Sequence, residues 1–295
     1  MIKRAIVATD LSEASNVMVK NLGFLSDFGI KELLLLQCPD YQEVASEIYP
    51  FVAHVQTDTI KDQQAKLEAL GFIVESRISP GNAQKEITRI AEEESFPLVI
   101  VGSRGRSLIG GAFLGGVAHE VMLRTTKPLL IVRLSVDENK ELAVAGISEE
   151  GVASHILYAT DFSKGSEHAF HYLQEIVDLE HVKKVTLFHV QDKSRIEPHL
   201  VDRLDEFNKT DKDRLHELAQ RLEGSPSVEI ETKLVYGTPA TEIIKELEVS
   251  GATFLIMAKQ GRGFFKELFV GSVSHYVSRR AQIPILMIPV TSEEA

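Results

Sequence analysis

The chain has one cysteine, Cys38, so no intrachain disulfide can form and a reducing compartment suits it. It has no basic excess: 32 Lys and Arg stand against 43 Asp and Glu, for a formal net charge of −11. Proteins bind nucleic acid by displacing its counterions with Lys and Arg, so that balance argues against nucleic acid and against an anionic membrane surface. No apolar run approaches the roughly 20 residues that span a bilayer. The opening MIKRAIVATDLSEAS enters a strand pattern without signal-peptide organisation, which points to the cytoplasm. Several chemistry-bearing motifs are also missing. The chain lacks G-x-x-x-x-G-K-[ST], which disfavours a P-loop NTPase, and it lacks a G-x-S-x-G nucleophile elbow. No second loop carboxylate accompanies Asp10 or Asp161 to build a two-metal phosphoryl-transfer site.

What the chain does have is length and repetition. Its 295 residues accommodate two ordinary domains of roughly 150 residues. A hydrophobic fraction of 44% with 25% charged residues is that of a soluble globular protein. Residues 5–15, AIVATDLSEAS, match 156–166, ILYATDFSKGS, at an offset of 151. The block from Gly81 to Ile87 matches that from Gly237 to Ile243 at an offset of 156. Gly105, Gly115 and Pro128 match Gly261, Gly271 and Pro284 at the same offset. The extra residues of the second copy fall in the polar segment 193–223. Blocks repeated in one order establish a duplication.

Within the first copy, strand patterns at 2–9, 32–38, 72–78, 97–102 and 128–133 alternate with helical patterns near 13–27, 43–70, 82–95 and 115–126. Strands nearly continuous in Ile, Val and Leu are those of a parallel sheet covered on both faces. Each crossover is long enough for a helix, giving right-handed βαβ units. The fold expected is α/β: two doubly wound domains, each a five-stranded parallel sheet of order 3-2-1-4-5 with helices on both faces. Their boundaries are 1–134 and 154–295, with an acidic linker at 135–153. Thr238 and Pro239 read as the N-cap and first residue of a helix. The last strands would lie at a sheet edge, and an open apolar edge invites pairing. The copies are therefore expected to pair as a pseudo-twofold, an intrachain dimer, with further homodimerisation left open.

Two features of the repeat carry chemistry. Asp10 and Asp161 stand where the first strand of each copy ends, and ligands of open α/β sheets sit at the carboxyl ends of strands near a topological switch point. The competing role is capping the helix that follows. The second feature is a loop written twice, Val101 to Val117 and Met257 to Val273, between an apolar strand and a helix. Gly-containing strand-to-helix turns of this type hold phosphate with backbone N–H groups and the helix dipole.

With these residues the chain resembles the universal stress protein family, and in particular its tandem two-domain members, over Ile2 to Pro289. Nucleotide-binding members show Gly, two residues, Gly, nine residues, then Gly followed by Ser or Thr. The first copy keeps Gly102, Gly105 and Gly115 but has Gly116 in place of the hydroxyl residue; the second has Ala258, Gly261, Gly271 and Ser272. The resemblance implies a first-copy site of Ala8, Thr9, Asp10, Gln37, Cys38, Val101, Gly102, Arg104, Gly105, Gly115, Gly116 and Val117. Adenine would lie near Asp10, Gln37 and Cys38, ribose and α-phosphate at Gly102 and Gly105, and farther phosphates at Gly115, Gly116 and Val117. The matching second-copy residues are Thr160, Asp161, His189, Val190, Met257, Ala258, Gly261, Gly271, Ser272 and Val273. Arg104, Arg106 and Arg262 are placed either to pair with phosphate or to stay solvated.

A methyl at Ala258 is expected to crowd the ligand, whereas the loss of one hydroxyl at Gly116 costs about 1 kcal/mol. That ranks the first copy as the better site. The function implied is binding of AMP or ATP, with Mg²⁺ as an accompanying ion, in a non-catalytic stress-response sensor or regulator. The alternatives are a slow ATPase or nucleotidyl transferase using Asp10 or Asp161 with a metal, and an interaction module without nucleotide. A flavin ligand on the same general fold is a remote further case. His119 and His275 read as helix-surface residues, and Cys38 as a small buried hydrophobe. His168 and His171 lack a third metal ligand, so no metal site of the protein's own is expected. Residues 193–223 read as a helix with a solvated charged face.

Overall fold

The Ile, Val and Leu runs become parallel strands in the computed structural model, which describes residues 2–40, 49–103, 114–136, 141–146, 151–196, 201–224, 227–261 and 270–290. The chain divides into two units, Met1–Ala145 and Gly146–Ala295. The first unit runs β1 (Arg4–Thr9), α1 (Glu13–Lys20), β2 (Glu32–Gln37), α2 (Tyr49–Ala69), β3 (Ile73–Ile78), α3 (Ala83–Glu93), β4 (Val99–Gly102), α4 (Gly116–Arg124) and β5 (Leu129–Val132). It closes on an antiparallel ribbon of β6 (Leu134–Val136) and β7 (Leu142–Val144). The second unit runs β8 (His155–Thr160), α5 (Lys164–Val177), β9 (Lys184–Asp192), α6 (Lys193–Ile196), α7 (Leu204–Gln220) and β10 (Glu229–Gly237). It continues with α8 (Pro239–Val249), β11 (Phe254–Ala258), α9 (Ser272–Arg280) and β12 (Ile285–Ile288).

Each unit builds one parallel five-stranded arrangement, β3-β2-β1-β4-β5 in the first and β10-β9-β8-β11-β12 in the second. Both are the 3-2-1-4-5 order read from the sequence. The central strands are buried on both faces, with Ala5, Ile6 and Val7 in one unit and Ile156, Leu157 and Tyr158 in the other fully enclosed. Their neighbours are β1's partners β2 and β4, and β8's partners β9 and β11. Chain order reverses direction between β1 and β4 and between β8 and β11, and the carboxyl ends of strands at such a reversal are where open α/β sheets bind ligands.

Three local differences from the sequence reading have physical causes. The helical pattern at 13–27 breaks after Lys20: Asn21 leaves helical geometry at φ −109°, and Leu22–Ser26 continues as a 3₁₀ turn. Asn and the nearby Gly23 are poor helix formers. The segment expected to link the copies carries most of the β6–β7 ribbon; β7 packs on α1, and the Ala145 N–H donates to the Arg133 carbonyl at 2.9 Å. Thr238 does occupy the N-cap of α8 with Pro239 behind it, but its side chain makes no capping hydrogen bond.

Candidate functional site

The two copies make the same turn after their first strand. Leu11 and Phe162 both hold φ at 57°, a left-handed conformation that bulky residues avoid unless the surroundings impose it. The Asp10 Oδ1 accepts from the Ser12 N–H at 3.0 Å and from the Ser15 hydroxyl. Asp161 Oδ1 accepts from the Ser163 N–H at 3.1 Å and the Ser166 hydroxyl at 2.6 Å. The helix caps are the serines themselves: Ser12 Oγ and Ser163 Oγ accept from Ser15 and Ser166 N–H groups at 3.2 Å. Each Asp therefore braces the turn ahead of the helix and is not its cap. A Cβ built on Gly261 would collide with Asp161 Oδ2, so the loop after β11 lies with its bare backbone against that oxygen.

The helix after the fourth strand begins on a glycine in both copies. Ser12, Asn82 and Ser163 cap α1, α3 and α5 with side-chain oxygens. α4 and α9 start from Gly115 and Gly271, at φ −61° in both, with no side-chain cap. Gly115 N–H donates to the Ser103 carbonyl at 2.8 Å, and Gly271 N–H to the Lys259 carbonyl at 2.9 Å. The loop is thereby pinned to the strand end, while the glycine N-caps leave the first-turn N–H groups, at Gly116 and Val117 or at Ser272 and Val273, without a side-chain cap among the described residues. Those groups and the helix dipole favour an anion. Arg104, Gly105, Arg106 and Arg262 lie outside the described residues.

In the second unit these parts surround a cleft of about 1040 Å³. All ten second-copy residues singled out from the sequence line it: Thr160, Asp161, His189, Val190, Met257, Ala258, Gly261, Gly271, Ser272 and Val273. In the first unit, Ala8 and Thr9 end β1, with Asp10 just beyond; Gln37 ends β2 and Cys38 follows it. Val101 and Gly102 end β4, and Gly115, Gly116 and Val117 open α4. Burial, helped by Glu86, pushes the Cys38 thiol up to about 12, so it stays protonated and unreactive at neutral pH.

The sequence reading missed one wall of the cleft. Phe207, Thr210, Asp211 and Arg214 of α7 line it, together with Gln191 of β9. Their spacing of three and four places them on one helix face, a signal present in the segment read only as solvated. Asp211 is the hub: its Oδ2 accepts from Gln191 Nε2 at 3.0 Å and stands 3.6 Å from His189 Nε2, while Arg214 lies 3.5 Å from Oδ1. His189 Nδ1 is 2.7 Å from the Thr160 carbonyl, which only accepts, so that nitrogen carries the proton. The His189 ring packs on Phe162 at 4.4 Å between centroids.

Ala258 lines the cleft, and its methyl also faces the neighbouring helix. A Cβ added at Gly165 in α5 would lie 3.4 Å from the Ala258 Cβ, so that methyl rests over a glycine of the adjoining helix. His168 Nδ1 stands 3.0 Å from the Pro289 carbonyl. Among the described residues no group of three His, Cys, Asp or Glu side chains could hold a metal ion, and no helix is long and apolar enough to cross a membrane.

A profile of the Universal stress protein family matches residues 1–133 and 153–289. The chain belongs to this family. A universal stress protein of Methanocaldococcus jannaschii is 26% identical over 155 residues, 45% of this chain and 96% of that protein. One from Mycobacterium tuberculosis is 25% identical over 244 residues, 79% of this chain and 75% of the relative. The crystal structure of a universal stress protein from Archaeoglobus fulgidus matches with a TM-score of 0.70 at 22% identity, covering 99% of this chain and 97% of that one, which speaks for the fold. The two matched segments place a family domain in each unit, each with its own strand-end Asp and glycine-started helix.

Proposed function

We propose that this universal stress protein binds adenine nucleotide, AMP or ATP, and acts as a non-catalytic sensor or regulator in a stress response. One observation carries the reading: the second-unit cleft lies at the strand-order reversal and ends on the uncapped start of α9. That end suits phosphate, while the rest of a nucleotide extends over Asp161 and the ends of β8 and β9. Mg²⁺ would enter with ATP phosphates and not on a preformed protein site. The accommodation of Ala258 by Gly165 supports a competent second copy, so the reading is one nucleotide per copy.

Mass spectrometry of nucleotide retained through purification would name the ligand and count the occupied copies. Calorimetry with AMP, ADP and ATP, with and without magnesium, checks it independently. Binding by none of them at millimolar concentration ends the nucleotide reading. The non-catalytic part rests on Asp161 Oδ1, which holds the turn through two hydrogen bonds. Steady phosphate release that Asp161→Ala removes would overturn that part.

A further inference from the structure

Three buried side-chain polar atoms have no hydrogen-bond partner among the described residues: Gln37 Oε1, Gln63 Nε2 and Gln191 Oε1. All three are carboxamide atoms, set on or beside the second strand of a copy. Gln37 ends β2 and pairs across to Thr9, whose hydroxyl donates to Gln63 Oε1 at 2.8 Å. Gln191 sits one residue from the end of β9, is 4% exposed, and lines the cleft. A buried polar group left unmatched costs on the order of 1–3 kcal/mol, so such atoms are rare without a reason.

Their chemistry is directional. Gln191 Nε2 donates to the Asp211 carboxylate, which only accepts, so the other end of that amide is an acceptor by necessity. In the first copy Gln63 Oε1 is taken by Thr9, the register partner of Gln37, which leaves an unmatched donor, Gln63 Nε2, and an unmatched acceptor, Gln37 Oε1, on side chains that flank the same threonine. A donor together with an acceptor is the complement of adenine, whose exocyclic amine adjoins a ring nitrogen. The position fits as well. β9 and β2 lie two strands from β11 and β4, about 10 Å at ordinary strand spacing, which is the reach of a nucleoside from its phosphate. The terminal torsion of a carboxamide is soft, so a small rotation turns the oxygen toward a ligand.

We propose that Gln37 and Gln191 are specificity-determining residues that accept a hydrogen bond from the amino group of a purine, so that each copy selects amino-purine over oxo-purine nucleotides. This rests on the nucleotide reading of the cleft. An oxo-purine places a carbonyl oxygen where the amide oxygen needs a donor, and two acceptors then face each other. The competing explanation is a buried water bridging the amides.

The test is calorimetry of the full chain with AMP and IMP for wild type, Gln37→Leu, Gln191→Leu and the double variant. Wild type is expected to favour AMP at least about tenfold, the ratio that one lost charge-neutral hydrogen bond supports. Each single variant should weaken AMP about tenfold at one site and leave IMP unchanged. The double variant should bring the ratio within about twofold, and its melting temperature reads the balance between the unmatched oxygens removed and the lost Gln191–Asp211 hydrogen bond. Met replaces Leu wherever Leu lowers the melting temperature. A wild-type ratio near one overturns the proposal and leaves nucleotide binding standing. A preference that survives in the double variant also overturns it, in favour of bridging water. Binding of neither nucleotide ends the reading of the cleft, and the assignment of Gln37 and Gln191 with it.

Discussion

Ala258 and Gly165 share one methyl between strand and helix, and in the first copy the same methyl sits on the other partner, as Gly102 and Ala14. A Cβ at Gly165 would meet the Gln260 carbonyl at 2.6 Å and Val290 Cγ2 at 2.9 Å besides Ala258, so Gly165→Ala overpacks the turn that carries Gly261. We expect a loss of about 1–3 kcal/mol in urea unfolding together with loss of second-copy binding. Adding Ala258→Gly should restore part of it, since the carbonyl contact remains. Lys259, one residue on, gives a prediction in pH. Burial pulls its amine from an ordinary 10.5 down to about 8. The folded protein then binds fewer protons than the unfolded chain between those values, so stability rises with pH across that window and the full cost is felt below about pH 8. Lys259→Met is expected to stabilise the protein at pH 7, with the gain shrinking toward pH 10. Urea midpoints of both proteins at the two pH values check this, and a constant gain would refute it. Asp10 and Asp161 were legible in the sequence because the duplication repeats them. Gln191 and Asp211 were not, since β9 carries Gln191 where the first copy has Pro39, and Asp211 lies in the segment where the copies differ most.

Among the elements, α4 and α9 give up stability that α1, α3 and α5 keep. A Ser, Thr, Asp or Asn cap is worth about 1 kcal/mol over a residue without a side-chain oxygen, less when the comparison is glycine. The extended backbone of Gly271, φ −61° and ψ 149°, is open to any residue, and a Cβ there would find its nearest neighbours at 3.6 Å, ordinary contact. Glycine is therefore not imposed by the protein's own packing. Gly271→Asp should cap α9, raise the melting temperature by about one degree, and eliminate nucleotide binding in that copy by placing a carboxylate where phosphate belongs. Retained binding at wild-type affinity would mean that phosphate does not use this helix start. The periodicity made α3, α8 and the strands readable, because their apolar spacing and caps are local. It misjudged α7, whose charged residues serve two surroundings: Asp211 is mostly buried against β9 while neighbouring residues are exposed. Amphipathic spacing marks which face of a helix is polar, but not whether water or a cleft lies against that face.

At the scale of the molecule, duplication turns one ligand question into a count. Each unit has its own five parallel strands, its own enclosed central strand and its own family match. A ligand that binds only the folded form stabilises what it enters, by about 2.7 kcal/mol at a hundred times its dissociation constant. Gly261→Val places a branched side chain where even a Cβ collides with Asp161 Oδ2, so it should close the second copy and spare the first. We expect calorimetric stoichiometry to fall from two nucleotides per chain to one. Hydrogen exchange with saturating AMP should then slow at the strand ends of residues 1–145 in wild type and variant alike, and at those of 146–295 in wild type only. Unchanged stoichiometry would place the bound nucleotide elsewhere. Stoichiometry of one in wild type that persists in Gly261→Val would assign the sole site to the first copy, whose loop keeps the close-approach Gly102. The same value falling to zero would assign it to the second, where the α7 wall with Asp211 and Gln191 has no match in the first copy's sequence. That wall would then be what separates a binding copy from its silent twin.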